Sequence, residues 1–143
     1  MSQAVVSRRG AARWRRGHPW IYRSDVRREP TPAEPGVVDV TDETGRPIGS
    51  ALYSPVSEIR LRMLDRAGTT IDGEWWAGAV RRAVARRAGI DGTAYRLVHA
   101  EADGLPSLVV DRYGPFLAAQ LLSAGLETRR TEVIAALESA VEP

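Results

Sequence analysis

Short runs rich in apolar residues in the first half of the chain predict β-strands. The runs cover residues 37–40, 48–53 and 59–64. In the third run apolar residues alternate with Arg60 and Arg62, so we expect both arginines on the solvent face of a half-buried strand. Three prolines between residues 30 and 35 predict a loop, because proline cannot continue a helix or a central strand.

One short helix is expected near the start of the chain, over residues 18–26. Pro19 would occupy its first turn, where the missing N–H of proline costs nothing. Residues 1–70 are therefore predicted to form a small β-barrel of short strands with one inserted helix.

The second half of the chain is predicted to contain a linker helix and a small α+β unit. Asp72 or Gly73 can cap a helix that runs to about Ala88 and is closed by Gly89, inside a linker segment 71–92. Strands follow at 95–101, 108–111 and 116–122, with a turn at Asp103 and Gly104, and a helix follows at 126–141. Such a sheet has an exposed edge and a half-covered face, so we expect residues 93–143 to form an incomplete domain whose last helix is partly exposed.

The predicted fold class is thus α+β. The distribution of charge along the chain gives the first indication of function. Residues 7–28 hold eight arginines and one carboxylate, although the whole chain of 143 residues has a formal net charge of only +2. Every basic residue is arginine, which GC-rich codon usage also produces, but codon usage does not explain the clustering. Clustered arginines are typical of a surface that binds polyanions. A solvated charged face is the alternative.

Aromatic residues are interleaved with these arginines between Arg13 and Arg23. Arginine contacts phosphates and stacks on bases, and tryptophan and tyrosine offer faces on which bases stack, so the pattern favours an RNA-binding surface. Trp20 is expected to pack where the helix meets the barrel. The candidate RNA-binding residues are Arg8, Arg9, Arg13, Arg15, Arg16, His18, Tyr22 and Arg23, with Arg60 and Arg62 extending the surface from a neighbouring strand.

Several classes of site are missing from the sequence. It has no cysteine, which excludes disulfides, thiolate metal ligands and cysteine nucleophiles and suits a reducing cytoplasm. It has no apolar stretch of about 18 residues that would span a membrane, no secretory signal and no glycine-rich nucleotide-binding motif. Neither His18 nor His99 has a partner at metal-ligand spacing, so no metal is expected.

Two other functions stay open on the residues alone. Glu101, Asp103 and Asp111 flank a turn, and paired carboxylates can hydrolyse substrates by acid–base catalysis, although Asp103 before Gly104 is also a common turn residue. Alternatively, the exposed edge of the second sheet could pair with another copy of the chain, which would make it a protein-interaction module.

Four segments resemble a known family. They are residues 17–22 (GHPWIY), 49–62 (GSALYSPVSEIRLR), 95–114 (YRLVHAEADGLPSLVVDRYG) and 120–125 (QLLSAG). The first two resemble the N-terminal PUA domain, and the last two the central domain, of bacterial class I S-adenosylmethionine-dependent methyltransferases that make 5-methylcytosine in 23S ribosomal RNA. Ser107 departs from the pattern, because the family usually has glycine there.

The resemblance implies a PUA-type barrel followed by part of a strand-strand-helix-strand-strand domain. In the family, a Rossmann-like domain that binds S-adenosylmethionine and carries the catalytic cysteine follows, and these 143 residues do not include it. Because methylation at C5 of cytosine uses a thiolate that adds at C6, a chain without cysteine is expected to be inactive alone. The resemblance thus implies ribosomal RNA as partner, no cofactor in this chain, and a homodimer.

Overall fold

The computed structural model describes residues 2–141. They form two compact units that divide between Thr69 and Thr70. None of the helices within this described part is long and apolar enough to cross a membrane.

The first unit is a curved six-stranded sheet with one helix. Its strands are β1 (Gln3–Val6), β2 (Trp20–Tyr22), β3 (Val26–Arg28), β4 (Gly36–Thr41), β5 (Pro47–Tyr53) and β6 (Ile59–Asp65), and α1 (Arg8–Arg15) lies between β1 and β2. The strand order is β2-β6-β5-β4-β1-β3. The two outer strands, β2 and β3, are joined by the single 3₁₀ turn Arg23–Asp25. Because three residues cannot span a wide gap, the sheet must curl into a nearly closed barrel.

Apolar side chains from the strands and from α1 fill the interior of this barrel. β4, β5 and β6 are antiparallel, and β1 joins β4 in parallel. Val40, Leu61 and Tyr53 are fully buried, and Ala11 closes the core from α1. The three strands predicted in this half are therefore confirmed, each longer by one or two residues than its sequence run.

The helix predicted over residues 18–26 is wrong, because the helix lies earlier in the chain. Ser7 caps α1 by accepting a hydrogen bond from the N–H of Gly10 at 3.0 Å. Gly17 ends this region with φ +95°, a value that favours glycine. Residues 20–22 are drawn instead into a strand, since Ile21 pairs with Leu61 of β6 and is almost completely buried.

The second unit is a three-stranded antiparallel sheet with three helices. Its elements are α2 (Gly73–Arg86), β7 (Ala94–His99), β8 (Leu108–Tyr113), β9 (Phe116–Leu121), α3 (Ala124–Glu127) and α4 (Arg130–Ala140), with a 3₁₀ turn at Ala100–Asp103. The strand order is β7-β8-β9. Asp72 caps α2 by accepting the N–H of Trp75 at 2.9 Å, as its sequence position predicts. The helix therefore belongs to the second unit, where Trp76 and Val80 are fully buried.

The helix predicted at 126–141 is divided into α3 and α4, and its core face is less exposed than expected. Thr128 caps the end of α3 by donating its hydroxyl to the carbonyl of Gly125 at 2.7 Å. α4 packs on α2, so Val133 and Leu137 are buried. Ile134 remains 41% exposed. The last helix is expected to be partly exposed because the sheet is incomplete. Its core face is instead covered by α2, so its burial does not depend on the sheet.

Ser107 stands where the resemblance predicts glycine, and its backbone conformation is one that favours glycine. Its φ is +63°, in the left-handed region, where a side chain costs about 1 kcal/mol. The buried hydroxyl offsets part of that cost with two short contacts. It donates to the carbonyl of Pro106 at 2.6 Å and lies 2.7 Å from the hydroxyl of Ser123.

Candidate nucleic-acid interface

α1 presents the clustered arginines to solvent in a defined arrangement. Successive helical residues are rotated by about 100°. Gly10 and Ala11 form the buried side, so Arg8 and Arg9 project outward on the opposite side, and Arg13 and Arg15 lie on its two flanks. Arg16 follows at the C-terminal cap and is exposed. The predicted arginines are therefore brought together, although on a helix that the sequence pattern does not reveal.

These arginines differ in whether a carboxylate neutralises them. Arg9 lies 3.3 Å from Asp25, Arg15 lies 3.3 Å from Asp42, and Arg23 lies 3.6 Å from Glu58. Arg8 and Arg16 form no ion pair within residues 2–141. The last two guanidinium groups are thus available to an anionic ligand without breaking an existing pair.

A second part of the interface combines arginine with aromatic rings, and we call it the arginine–aromatic surface (Arg13, Trp20, Tyr22 and Arg62). Trp20 and Tyr22 alternate with buried Ile21, so both rings lie on the outer face of β2. The guanidinium carbons of Arg13 and Arg62 each lie 5.4 Å from the centre of a ring, of Tyr22 and Trp20 respectively. The guanidinium of Arg13, held over the ring of Tyr22, keeps its N–H edge available for phosphate or base oxygens.

The side chains of Trp20 and His18 are both accessible to solvent. Trp20, expected to be packed, is only half-buried. His18 is exposed in the loop after α1, where its backbone N–H donates to the carbonyl of Arg13 at 3.0 Å. Trp20 is thus an accessible part of the arginine–aromatic surface, and the bond to Arg13 places His18 beside that surface.

Arg60 is wrongly placed by the strand alternation, because it does not face solvent. Only 12% of its side chain is exposed, and it donates to Glu29 at 2.6 Å. The hydroxyl of buried Tyr53 donates to the same carboxylate oxygen at 2.7 Å. Glu29 lies in the loop after β3, so the carboxylate that holds Arg60 comes from a remote part of the sequence. The role of Arg60 here is to stabilise the barrel.

This buried cluster predicts an alkaline loss of stability. Burial first, and then the hydrogen bond to Glu29, raise the pKa of Tyr53 from 10.0 to about 12. A raised folded-state pKa stabilises fully below pH 10, and this contribution disappears as the pH rises through 12. We expect a loss of about 2 kcal/mol across this interval. Urea denaturation of wild type and Tyr53→Phe at several alkaline pH values checks this. Parallel pH profiles for the two proteins would contradict it.

The first unit also contains an open cleft of about 460 Å³ beside α1, which we call the arginine cleft. Trp14, Arg15, Arg46 and Arg66 line it. Arg46 lies in the turn between β4 and β5, and Arg66 directly follows β6. Sequence analysis misses both residues, because each stands apart from the N-terminal cluster and only the strand order brings them together.

Asp42 organises one side of the arginine cleft. It accepts hydrogen bonds from the Thr44 hydroxyl at 2.6 Å and from the N–H of Arg46 at 3.1 Å, and its other oxygen binds Arg15. The hydrogen bond from Thr44, with smaller contributions from the backbone and Arg15, holds the pKa of Asp42 below its usual value. At neutral pH the carboxylate is therefore charged and fixes both Arg15 and the turn that carries Arg46.

The carboxylates of the second unit have structural partners. Asp103 binds Arg86 and Arg87, each at 2.7 Å, and Asp111 binds Arg96 at 2.8 Å. Burial would raise the pKa of Asp103, but hydrogen bonds from Arg87, the N–H of His99 and Arg86 outweigh it and lower the pKa. A general acid needs a raised pKa, so these contacts do not favour hydrolysis. No group of three or more potential metal ligands occurs among the residues described.

Comparisons with known proteins agree with the resemblance to ribosomal RNA methyltransferases that the sequence segments indicate. Residues 5–66 match the model of a PUA-like domain. The chain is 40% identical over 129 residues to a ribosomal RNA large subunit methyltransferase of Deinococcus radiodurans, and 37% identical over 132 residues to ribosomal RNA large subunit methyltransferase I of Cronobacter sakazakii. These alignments cover 83% and 87% of this chain but only 32% and 33% of the relatives. The chain thus spans about a third of their length.

A solved structure shares the fold. It is that of a proposed SAM-dependent methyltransferase from Streptococcus mutans, with a TM-score of 0.84 and 18% sequence identity. The match covers 98% of this chain and 38% of that one. A second matching structure, also with a TM-score of 0.84, is of a proposed methyltransferase in complex with SAH. At this identity the likeness concerns the fold alone.

Proposed function

We propose that this chain binds RNA through its first unit. Residues 5–66 match a PUA-like domain, and most of the chain is similar to ribosomal RNA large subunit methyltransferases. The observation that carries the proposal is the combination of Arg8 and Arg16, which lack carboxylate partners among residues 2–141, with the arginine–aromatic surface on the neighbouring strand. Arginines such as Arg8 and Arg16 can bind phosphates, and the rings of the arginine–aromatic surface can stack on unstacked bases.

The distribution of charge supports an RNA ligand for this unit. Residues 1–70 hold 12 arginines and 8 carboxylates, whereas residues 71–143 hold 8 arginines and 10 carboxylates. Phosphate attraction therefore concentrates on the first unit and within it on α1. We propose residues 1–70 as the RNA-binding module and residues 93–143 as part of a second α+β domain, to which the segment 71–92, predicted as a linker, contributes α2.

The names of the relatives suggest which RNA is bound. We propose ribosomal RNA of the large subunit as the partner, and 5-methylcytosine in 23S ribosomal RNA as the product of the longer relatives with S-adenosylmethionine as methyl donor. The part of this chain is to bind and position RNA, because a sequence without cysteine lacks the usual nucleophile for C5 methylation. A cytoplasmic location follows from that partner.

A double variant of α1 tests the proposal. Arg8→Ala with Arg16→Ala removes the two arginines without ion pairs, and we expect about a tenfold loss of affinity for fragments of 23S ribosomal RNA. The slope of log affinity against log salt should fall by about 1.4 to 1.8, since each lost phosphate contact removes about 0.7 to 0.9. Fluorescence anisotropy at several salt concentrations measures both quantities.

The matched control is Arg81→Ala with Arg82→Ala. These exposed arginines of α2 also lack ion pairs in the described part of the chain, so the same charge is removed from a helix of the second unit. If both double variants lose equal affinity, attraction is diffuse and α1 is not the binding element. If only the control loses affinity, RNA binds the second unit.

A second candidate function is self-association, and the exposure of β9 favours it. β9 is an edge strand of the described sheet, and Phe116 and the adjoining Leu122 are 73% and 58% exposed. An edge strand with one open side and exposed apolar residues can pair with a second copy to give a homodimer. Sedimentation equilibrium without RNA distinguishes this function, because it predicts association that depends on protein concentration.

A further inference from the structure

We propose that the arginine cleft binds one unpaired nucleotide that protrudes from an RNA helix, with its phosphate on Arg46 and Arg66 and its base against Trp14. The inference rests on the proposed RNA-binding function and adds to it a subsite and a substrate class. Neither arginine belongs to the α1 cluster on which that function depends.

Shape is the first argument. The cleft has a volume of about 460 Å³, within the range of about 300 to 1,000 Å³ that is typical of small-molecule sites. A paired RNA backbone is convex and does not enter a concave site of this size. An unpaired nucleotide can enter, because bases in bulges and loops are free to swing outward.

The chemistry of the walls is the second argument. Trp14 is half-buried, and its indole N–H donates to the carbonyl of Ile48 at 2.9 Å, so the ring is fixed in the wall of the cleft. Arg46 and Arg66 line the same cleft and are exposed, and their guanidinium groups form no ion pair in the described chain. An aromatic wall and two open guanidinium groups match the base and the phosphate of one nucleotide.

Rigidity is the third argument. Asp42 fixes the backbone N–H of Arg46 and the guanidinium of Arg15 at the same time. The indole of Trp14 is held by the carbonyl of Ile48, so the aromatic wall and the turn that carries Arg46 are both held in place before any ligand arrives. A site that is already ordered loses less entropy on binding, which raises affinity.

Two RNA hairpins that are identical except for a single bulged nucleotide, present in one and absent from the other, test the inference. Wild-type protein should bind the bulged hairpin about tenfold more tightly, and Arg46→Ala with Arg66→Ala should abolish that preference. Arg8→Ala with Arg16→Ala should instead weaken binding of both hairpins equally and keep the preference. The indole N–H resonance of Trp14, observed by NMR, should be unchanged in the cleft variant and so shows that the cleft remains folded.

Each result decides between defined alternatives. Equal binding of the two hairpins by wild type, or a preference that survives in the cleft variant, overturns the nucleotide subsite and leaves the RNA-binding function standing. No salt-dependent binding of either hairpin by wild type overturns the proposed function and the subsite with it.

Discussion

Replacement of Asp103 by alanine is expected to destabilise the second unit by about 3 kcal/mol. The carboxylate is 2% exposed and accepts three hydrogen bonds, from Arg86 and Arg87 at 2.7 Å each and from the N–H of His99 at 2.6 Å. Its removal leaves Arg87, only 16% exposed, without a counter-charge and leaves a backbone donor without an acceptor. A loss of this size is a large fraction of the stability of a unit of about 70 residues.

Hydrogen exchange followed along the chain measures this effect separately for each unit. We expect faster exchange throughout α2, β7 and β8 in the variant and unchanged exchange in the first unit. Asp103→Asn is the isosteric control, and it should cost less because its amide oxygen still accepts one hydrogen bond. Equal protection of wild type and Asp103→Ala would contradict the structural role of this carboxylate.

The same carboxylate predicts the direction of the acid response. The pKa of Asp103 is lower in the folded chain than its usual value of 3.8. Its stabilising contribution is therefore present above pH 3.8 and is lost as the pH falls below that value. Asp103→Asn should show a weaker dependence on pH over this range than wild type.

Three of the six barrel strands could be predicted from sequence because their signal is local. β4, β5 and β6 are short runs rich in apolar residues, and their bounds agree with the prediction within two residues. α1 was missed because its buried side is made of Gly10 and Ala11, which carry little hydrophobic signal. Its N-cap, Ser7, also binds Asp25, a contact between residues 18 positions apart.

The candidate site shows the same division between local and long-range information. The arginines of α1 could be found as a cluster along the chain, and their exposure follows from charge. The burial of Arg60 depends on Glu29. The proximity of Arg46 and Arg66 in one cleft depends on the order of β4, β5 and β6 in the sheet. Sequence separation hides such contacts, because no pattern within a short window refers to them.

Gly49 is the point at which barrel packing and the candidate interface meet, and Gly49→Ala is expected to cost about 3 kcal/mol. A Cβ at this position in β5 would lie 2.5 Å from the carbonyl oxygen of Asp65 and 2.8 Å from the terminal methyl of Met63. The methionine can move, but the carbonyl belongs to β6, which pairs with β5 at Ser50 and Asp65. Relief of the clash must therefore separate two paired strands.

The same substitution should weaken RNA binding although it removes no charge. The added Cβ would also lie 3.3 Å from the indole nitrogen of Trp14, which anchors α1 to the barrel through Ile48. We expect α1 and its arginines to shift, so affinity for 23S ribosomal RNA fragments should fall about tenfold with little change in salt slope. Gly78→Ala is the control, since its Cβ meets only the flexible ends of Arg81 and Arg82 and alanine favours the helix by up to about 1 kcal/mol. Urea denaturation and anisotropy measure the two effects, and a Gly49→Ala protein as stable as wild type would show that α1 is not held by this contact.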